Sequence, residues 1–138
     1  MQTVFTPKLT VFYCINSFVE TNAFLGRIKP LADVSFVKMP CSSMVKDVFL
    51  LRAFEADADG VAVLVCPEGQ CRFIEGNIRA KKRAAFVRNL LDDIGLDGRR
   101  LGLFNVKPGD EDLVMEIVEK VVSGLKELGP SPARSAAV

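Results

Sequence analysis

Four cysteines, Cys14, Cys41, Cys66 and Cys71, are the residues of this chain whose type and placement can do chemistry. The first three each end or closely follow an apolar run: LTVFY before Cys14, VSFVKMP before Cys41, and VAVLV before Cys66. Cys71 comes after four intervening residues, across a turn that holds Pro67, Glu68 and Gly69. Four thiolates are a complete soft donor set for an iron-sulfur cluster, a single iron or zinc. The C-x4-C spacing of the last pair echoes part of a plant-type cluster pattern. Structural zinc uses close pairs of cysteines, and only one pair here has such spacing, which ranks zinc second. Two further readings stand beside a metal site. Cys66 and Cys71 can act as a thiol-disulfide couple, although such couples usually occupy C-x-x-C at a helix N-terminus. Free cysteine also fills apolar cores.

Composition narrows the choice. The chain has 138 residues, is 49% hydrophobic and carries a formal charge of +1, which fits one domain with a sizeable core and no global field to gather nucleic acid or an anionic membrane. Histidine is absent, so Ser-His-Asp and Cys-His catalysis, histidine-ligated zinc and mixed Cys/His iron centres are excluded. GxGxxG and the P-loop pattern are absent too. No apolar run approaches a membrane span, and the opening MQTVFTPKLTVF lacks the order of a secretory signal, so a cytoplasmic location is expected. Thiols there are kept reduced, which favours metal or redox work over structural disulfides.

The elements that must position the cysteines alternate along the chain. Residues 9–13 (LTVFY) read as a first strand ending at Cys14. Ser17 with Glu20 fits a capping box for a first helix, with Val19 and Ala23 inward and Gly26 and Pro30 at its exit. Residues 34–39 give a second strand that closes on Pro40 and Cys41. A second helix runs from Ser42 or Ser43 to about Ala56, with Met44, Val48 and Leu51 as its stripe. Asp57 and Asp59 read as turn residues before the third strand, residues 61–65. Asn77 caps a third helix with Ala80, Ala84, Val87, Leu91 and Ile94 inward, ended by Gly95. A fourth strand covers residues 101–106. The fourth helix starts at Asp110, Glu111 and Asp112, carries Leu113, Ile117, Val121, Leu125 and Leu128, and stops at Gly129 and Pro130. Residues 1–129 are thus one domain, and 130–138 (PSPARSAAV) a loose tail. The basic run Arg79, Lys81, Lys82, Arg83 is most simply a solvated helix face; docking of an acidic partner is its alternative.

Strands alternating with helices imply a small α/β three-layer sandwich of the flavodoxin-like kind, with four parallel strands in order 2-1-3-4 and helices on both faces. In such a sheet Cys14, Cys41 and Cys66 arrive at one edge from adjacent strands, at the switch point where these folds bind ligands, and Cys71 is one loop away. Gly69 and Gly76 would let backbone amides approach the sulfurs.

The stretch PCSSMVKDVFLLRAFEADADGVAVLVCPEGQCRFIEGN, with FYC ending the first strand, resembles the delta subunit of methyl-viologen-reducing hydrogenase and its relatives. The resemblance covers most of residues 9–129 and is most specific from Ala53-Phe54 to Asp59-Gly60-Val61, at Cys66-Pro67-Glu68-Gly69-Gln70-Cys71 and at Glu75-Gly76-Asn77. It implies an electron-transfer subunit that is not an enzyme by itself. It further implies one [2Fe-2S] cluster with Cys14, Cys41, Cys66 and Cys71 as ligands. The partners it implies are a hydrogenase or other electron donor on one side and a flavin-bearing heterodisulfide-reductase-like subunit on the other. Many relatives carry a further cysteine about where this chain has Ser17, and often His where it has Pro67; the four cysteines that remain are the minimum for an all-thiolate cluster.

Overall fold

The fold was analysed on a computed structural model, which describes residues 6–14, 26–28, 32–39, 47–65, 76–106 and 111–131, with the side chains of Cys14, Met39, Asp47 and residues 76–80 excepted. Strand β1 (Lys8–Cys14) is followed by a helical turn at residues 26–28, β2 (Asp33–Met39), α1 (Asp47–Glu55), β3 (Gly60–Val65), α2 (Gly76–Asp93), a 3-10 turn (Gly98–Arg100), β4 (Leu101–Asn105) and α3 (Glu111–Leu128). All pairings are parallel and the order is β2-β1-β3-β4, as the strand and helix alternation requires.

Both faces of the sheet are covered, which is why β3 is an unbroken Val/Leu/Ala run with every residue buried. Leu9, Val11, Tyr13, Ala62 and Leu64 point to one face, where Ile28 and the α3 residues Val114, Ile117, Val118, Val122 and Leu125 pack. Phe12, Val61, Val63, Val65 and Leu101 point to the other, under Leu50 and Phe54 of α1 and Ala84, Val87 and Leu91 of α2. The tight fit of α3 depends on Gly60: a Cβ there would stand 2.6 Å from a methyl carbon of Leu125. Among the described residues no helix is long and apolar enough to cross a membrane.

The helix ends explain where the sequence pattern misplaces side chains. At the end of α2 the Gly95 amide donates to Asp92 O and the Leu96 amide to Leu91 O, with Gly95 at φ 84°. That is a Schellman closure, and its usual apolar contact joins Leu96 to Leu91. Leu96 therefore enters the core and Ile94, expected inward, is 62% exposed. Asp57 takes the glycine position of the same closure on α1, at φ 73°, with its amide on Phe54 O and the Ala58 amide on Ala53 O. The closure sets the helix phase so that Leu50 and Phe54, one turn apart, fill the core; Val48, expected in the stripe, is exposed and Leu51 only partly buried. Met44 lies outside the described residues, as do Ser17, Val19 and Ala23. Gly26 does not end its helix, because residues 26–28 are helical and Ile28 is buried.

The strand starts are fastened by two buried charged residues. Asp59 is fully buried; its carboxylate accepts the Lys8 amide at 2.8 Å and the Ser131 amide at 2.9 Å. Its backbone amide donates to Lys8 O and its carbonyl accepts Arg100 Nη1. Arg100 further donates Nε to Leu96 O, Nη1 to Gly129 O and Nη2 to Pro130 O. Asp59 is thus more than a turn residue, and the stretch after Gly129 is pinned at its beginning, with Ser131 buried. Burial holds the Arg100 guanidinium below its ordinary value, and the Asp59 charge works the other way. At the surface, Asp97 caps the 3-10 turn by accepting the Arg99 amide and is gripped by the Arg99 guanidinium at 2.7 Å.

Replacing Arg100 by Leu takes a donor from four carbonyls, in two buried and two part-buried hydrogen bonds. This variant should lose about 3 kcal/mol of stability in urea unfolding, since stripping one partner from a buried charged network is costly. A loss below about 1 kcal/mol, the net worth of an ordinary hydrogen bond, would show that water replaces the guanidinium. The Arg99 hydrogen bonds hold the Asp97 carboxyl well below the usual range, at about 2 against 3.8. A depressed carboxyl stabilises the fold fully above its unfolded value and loses that contribution as pH falls through its folded value, here from about 4 towards 2. In a carboxyl NMR titration the midpoint of Asp97 should rise towards 3.8 in Arg99→Ala.

Candidate metal centre

The backbone of Cys14 ends β1 at the edge of the sheet opposite the Asp59 and Arg100 fastening. Register decides what meets there. Cys14 ends β1 and is paired with Met39 at the end of β2, while Tyr13 is paired with Leu64 of β3. Continuing that register by one residue brings Cys14 level with Val65, the last residue of β3. Neighbouring strands lie about 4.8 Å apart, so the ends of β2, β1 and β3 form three adjacent exits on a single rim. The backbone of Cys14 is the one part of the four-cysteine set within the described residues; Cys41, Cys66 and Cys71 lie outside them. Ser17 and Pro67, where the resemblance implies a departure from the relatives' pattern, lie outside them as well.

What the structure does describe is the floor beneath that rim. Val11, Phe12, Tyr13, Val63, Leu64 and Val65 are all buried, and Tyr13 meets Phe36 of β2 edge-on, with ring centroids 6.3 Å apart. None of these residues is a carboxylate or an amine, and the phenol of Tyr13 is the one polar side-chain group among them. An apolar floor also keeps water from one side of any group bound above it, a lever on the reduction potential of a cluster. Among the described residues no group of three or more His, Cys, Asp or Glu side chains is arranged to hold a metal ion. The buried acid of the fold, Asp59, sits at the strand starts and is engaged in fastening them, so it is no ligand for a site at the strand ends. With histidine absent, any transition metal would have to rest on thiolate and carboxylate, and thiolates are the donors whose softness suits an iron-sulfur cluster.

Two cavities among the described residues lie elsewhere. One of about 670 Å³ is bounded by Arg88, Asn89, Asp92, Asp97 and Arg99 near the end of α2; a second, of about 620 Å³, runs between β4 and α3 past Phe104 and Val121. Both hold ordinary surface side chains and neither is at the strand ends. Sequence reasoning foresaw neither the Asp59 and Arg100 pair nor Ser131. The available signal was position: an aspartate directly ahead of a six-residue run buried on both sides, and an arginine directly ahead of β4, must each be covered by whatever covers the strand.

The family described as "Methyl-viologen-reducing hydrogenase, delta subunit" matches residues 9–129. The chain is 31% identical over 131 residues to the iron-sulfur subunit of the vhu F420-non-reducing hydrogenase of Methanocaldococcus jannaschii, covering 94% of this chain and 98% of that protein. It is 32% identical over the same length to the protein of that name from Methanococcus maripaludis, again with 94% and 98% covered. A shorter match, 31% identical over 106 residues, reaches one subunit of the ferredoxin/F420H2-dependent CoB-CoM heterodisulfide reductase of Methanosarcina acetivorans; it takes in 77% of this chain and 13% of the larger protein.

Proposed function

This chain belongs to the family of the methyl-viologen-reducing hydrogenase delta subunit, and from that membership we propose that it is an electron-transfer subunit of a hydrogenase and heterodisulfide-reductase type assembly. Its cofactor is one [2Fe-2S] cluster held by Cys14, Cys41, Cys66 and Cys71. It takes electrons from a hydrogenase or similar donor and hands them to a flavin-containing heterodisulfide-reductase-like subunit, in the cytoplasm and without transforming a substrate of its own. Two relatives named as iron-sulfur subunits of a hydrogenase, and one named as part of a heterodisulfide reductase, support the two sides of the relay.

The observation that carries this reading is the shared rim of β2, β1 and β3. Cys41 follows Met39 by two residues and Cys66 follows Val65 directly. At about 3.8 Å per residue step, those short tethers favour thiols gathered around Cys14. A cluster held by four thiolates has no open coordination position for a substrate, so the step it supplies is to accept one electron and pass it on. The chain's own part is to hold the sulfurs from separate strands at fixed spacing over an apolar floor.

The full chain, purified and reconstituted without oxygen, should be brown, bind about two irons per chain and give an electron paramagnetic resonance signal on reduction. Cys41→Ser should bleach it while leaving the circular dichroism of the fold unchanged. Zinc in place of iron, or no metal at all, would falsify the relay. A colourless protein in which Cys66 and Cys71 interconvert between dithiol and disulfide would instead favour thiol exchange.

A further inference from the structure

The large apolar side chains that the described residues leave at the surface all lie on one side of the sandwich. Val48 and Phe49 are in the first turn of α1, Phe86 is in α2 and Ile94 just beyond its end. Val37 of β2 joins them: Val34 and Phe36 pack into the α3-side core, so strand alternation turns Val37 to the other face. The same side is basic. Helix α2 carries five cations before its first carboxylate at Asp92 and has no acidic residue in its first turn. Lys81, Lys82 and Arg88 are exposed, and Lys82 and Phe86 stand one turn apart on one stripe. By contrast, α3 opens with Glu111 and Asp112 and mixes both signs along its length.

Topology puts this surface beside the metal centre. Helices α1 and α2 each run back from the strand ends to the strand starts, where they close at Asp57 and Gly95. Their first turns therefore rise towards the rim on which Cys14 ends β1. We propose that the outward side of α1 and α2 is the docking face for an acidic one-electron carrier protein, with Phe49 and Phe86 as its apolar contacts and Lys81 and Lys82 as its steering charges. This deepens the relay reading and rests on it.

Charge complementarity selects the occupant. A relay needs a partner that binds briefly and close to the cluster. Electrostatic steering with a small apolar contact gives fast association without tight binding. The whole chain has a net charge of only +1, so it lacks the broad field that holds a polyanion, while the α2 stripe suits a compact acidic patch. Exposed Phe49 and Phe86 would be contacts wasted on a purely phosphate-bearing surface.

The test uses the full chain, labelled with nitrogen-15, and a small acidic plant-type [2Fe-2S] ferredoxin as probe, under anaerobic conditions. Amide shifts should cluster on Phe49, Lys81, Lys82 and Phe86. The dissociation constant should weaken about tenfold between low and physiological ionic strength. The double change Lys81→Glu with Lys82→Glu should weaken it by a similar factor, about tenfold. Phe86→Ser should weaken it without changing the salt dependence, and Lys120→Glu, on α3, should leave it unchanged. Shifts confined to α3 or β4, no association, or equal affinity for phosphatidylglycerol vesicles or duplex DNA each overturn the proposal. Stopped-flow absorbance on the reconstituted chain separates the two readings. Docking without electron transfer sinks the relay and keeps the docking face; electron transfer indifferent to salt and to these variants does the reverse.

Discussion

Placing β1 in parallel between β2 and β3 is the constraint on which the other features depend. Parallel neighbours cannot be joined by a tight turn, so each connection must cross a face of the sheet and return to the strand starts. The helical turn at residues 26–28 and α3 cover one face, α1 and α2 the other. The winding reverses between β1 and β3, the kind of switch point outside which such sheets usually bind their ligands. Register then matters as much as order. A slip of one residue would carry Leu9, Val11 and Tyr13 to the face now filled by Phe12, and would take Cys14 off the level of Met39.

The two rims of the sheet have been given different work. At the strand starts a buried carboxylate and a buried guanidinium tie β1, the turn before β3, the end of the 3-10 turn and the segment after α3 into one knot. Such a knot is tolerable only because every charged group in it has partners: Asp59 takes two backbone amides and Arg100 reaches four carbonyls. Beneath the strand ends the described side chains pack as aliphatic and aromatic groups. The described floor beneath the strand ends carries no charged side chain, so the charges that the fold requires lie at the other rim.

Strand order, helix positions and the shared rim were legible in the sequence because they follow from coarse signals: apolar runs, turn residues and the handedness of crossovers. What escaped was decided by contacts between distant segments. Periodicity placed Ile94 inward, but the closure at Gly95 hands its place to Leu96. A stripe through Val48 and Leu51 matches the helical period as well as one through Leu50 and Phe54, and only the closure at Asp57 selects the second. Asp59 reads locally as one more turn residue in DADG; its role depends on Lys8 and Ser131, 51 and 72 residues away. The candidate site was legible as a convergence of strand ends, since topology alone sets it, while the ligand set came with the family resemblance.

Helix α2 shows how local preference can be overruled. Cations in the first half of a helix oppose the partial positive charge of its N-terminus, at a cost of some 0.3–1 kcal/mol for a charge close to the end. Helix α3 of the same chain follows the rule, with Glu111 and Asp112 in its first turn; α2 has none. The core does not require the departure, because the buried positions of α2 are Ala84, Val87 and Leu91 and the cations lie between them. Alternating Glu and Lys on that face would keep the same packing and relieve both the dipole and the crowding of like charges. The packing of the core therefore does not by itself call for the positive run. Because the crossover carries it towards the rim of Cys14, its explanation belongs with what approaches that rim from outside.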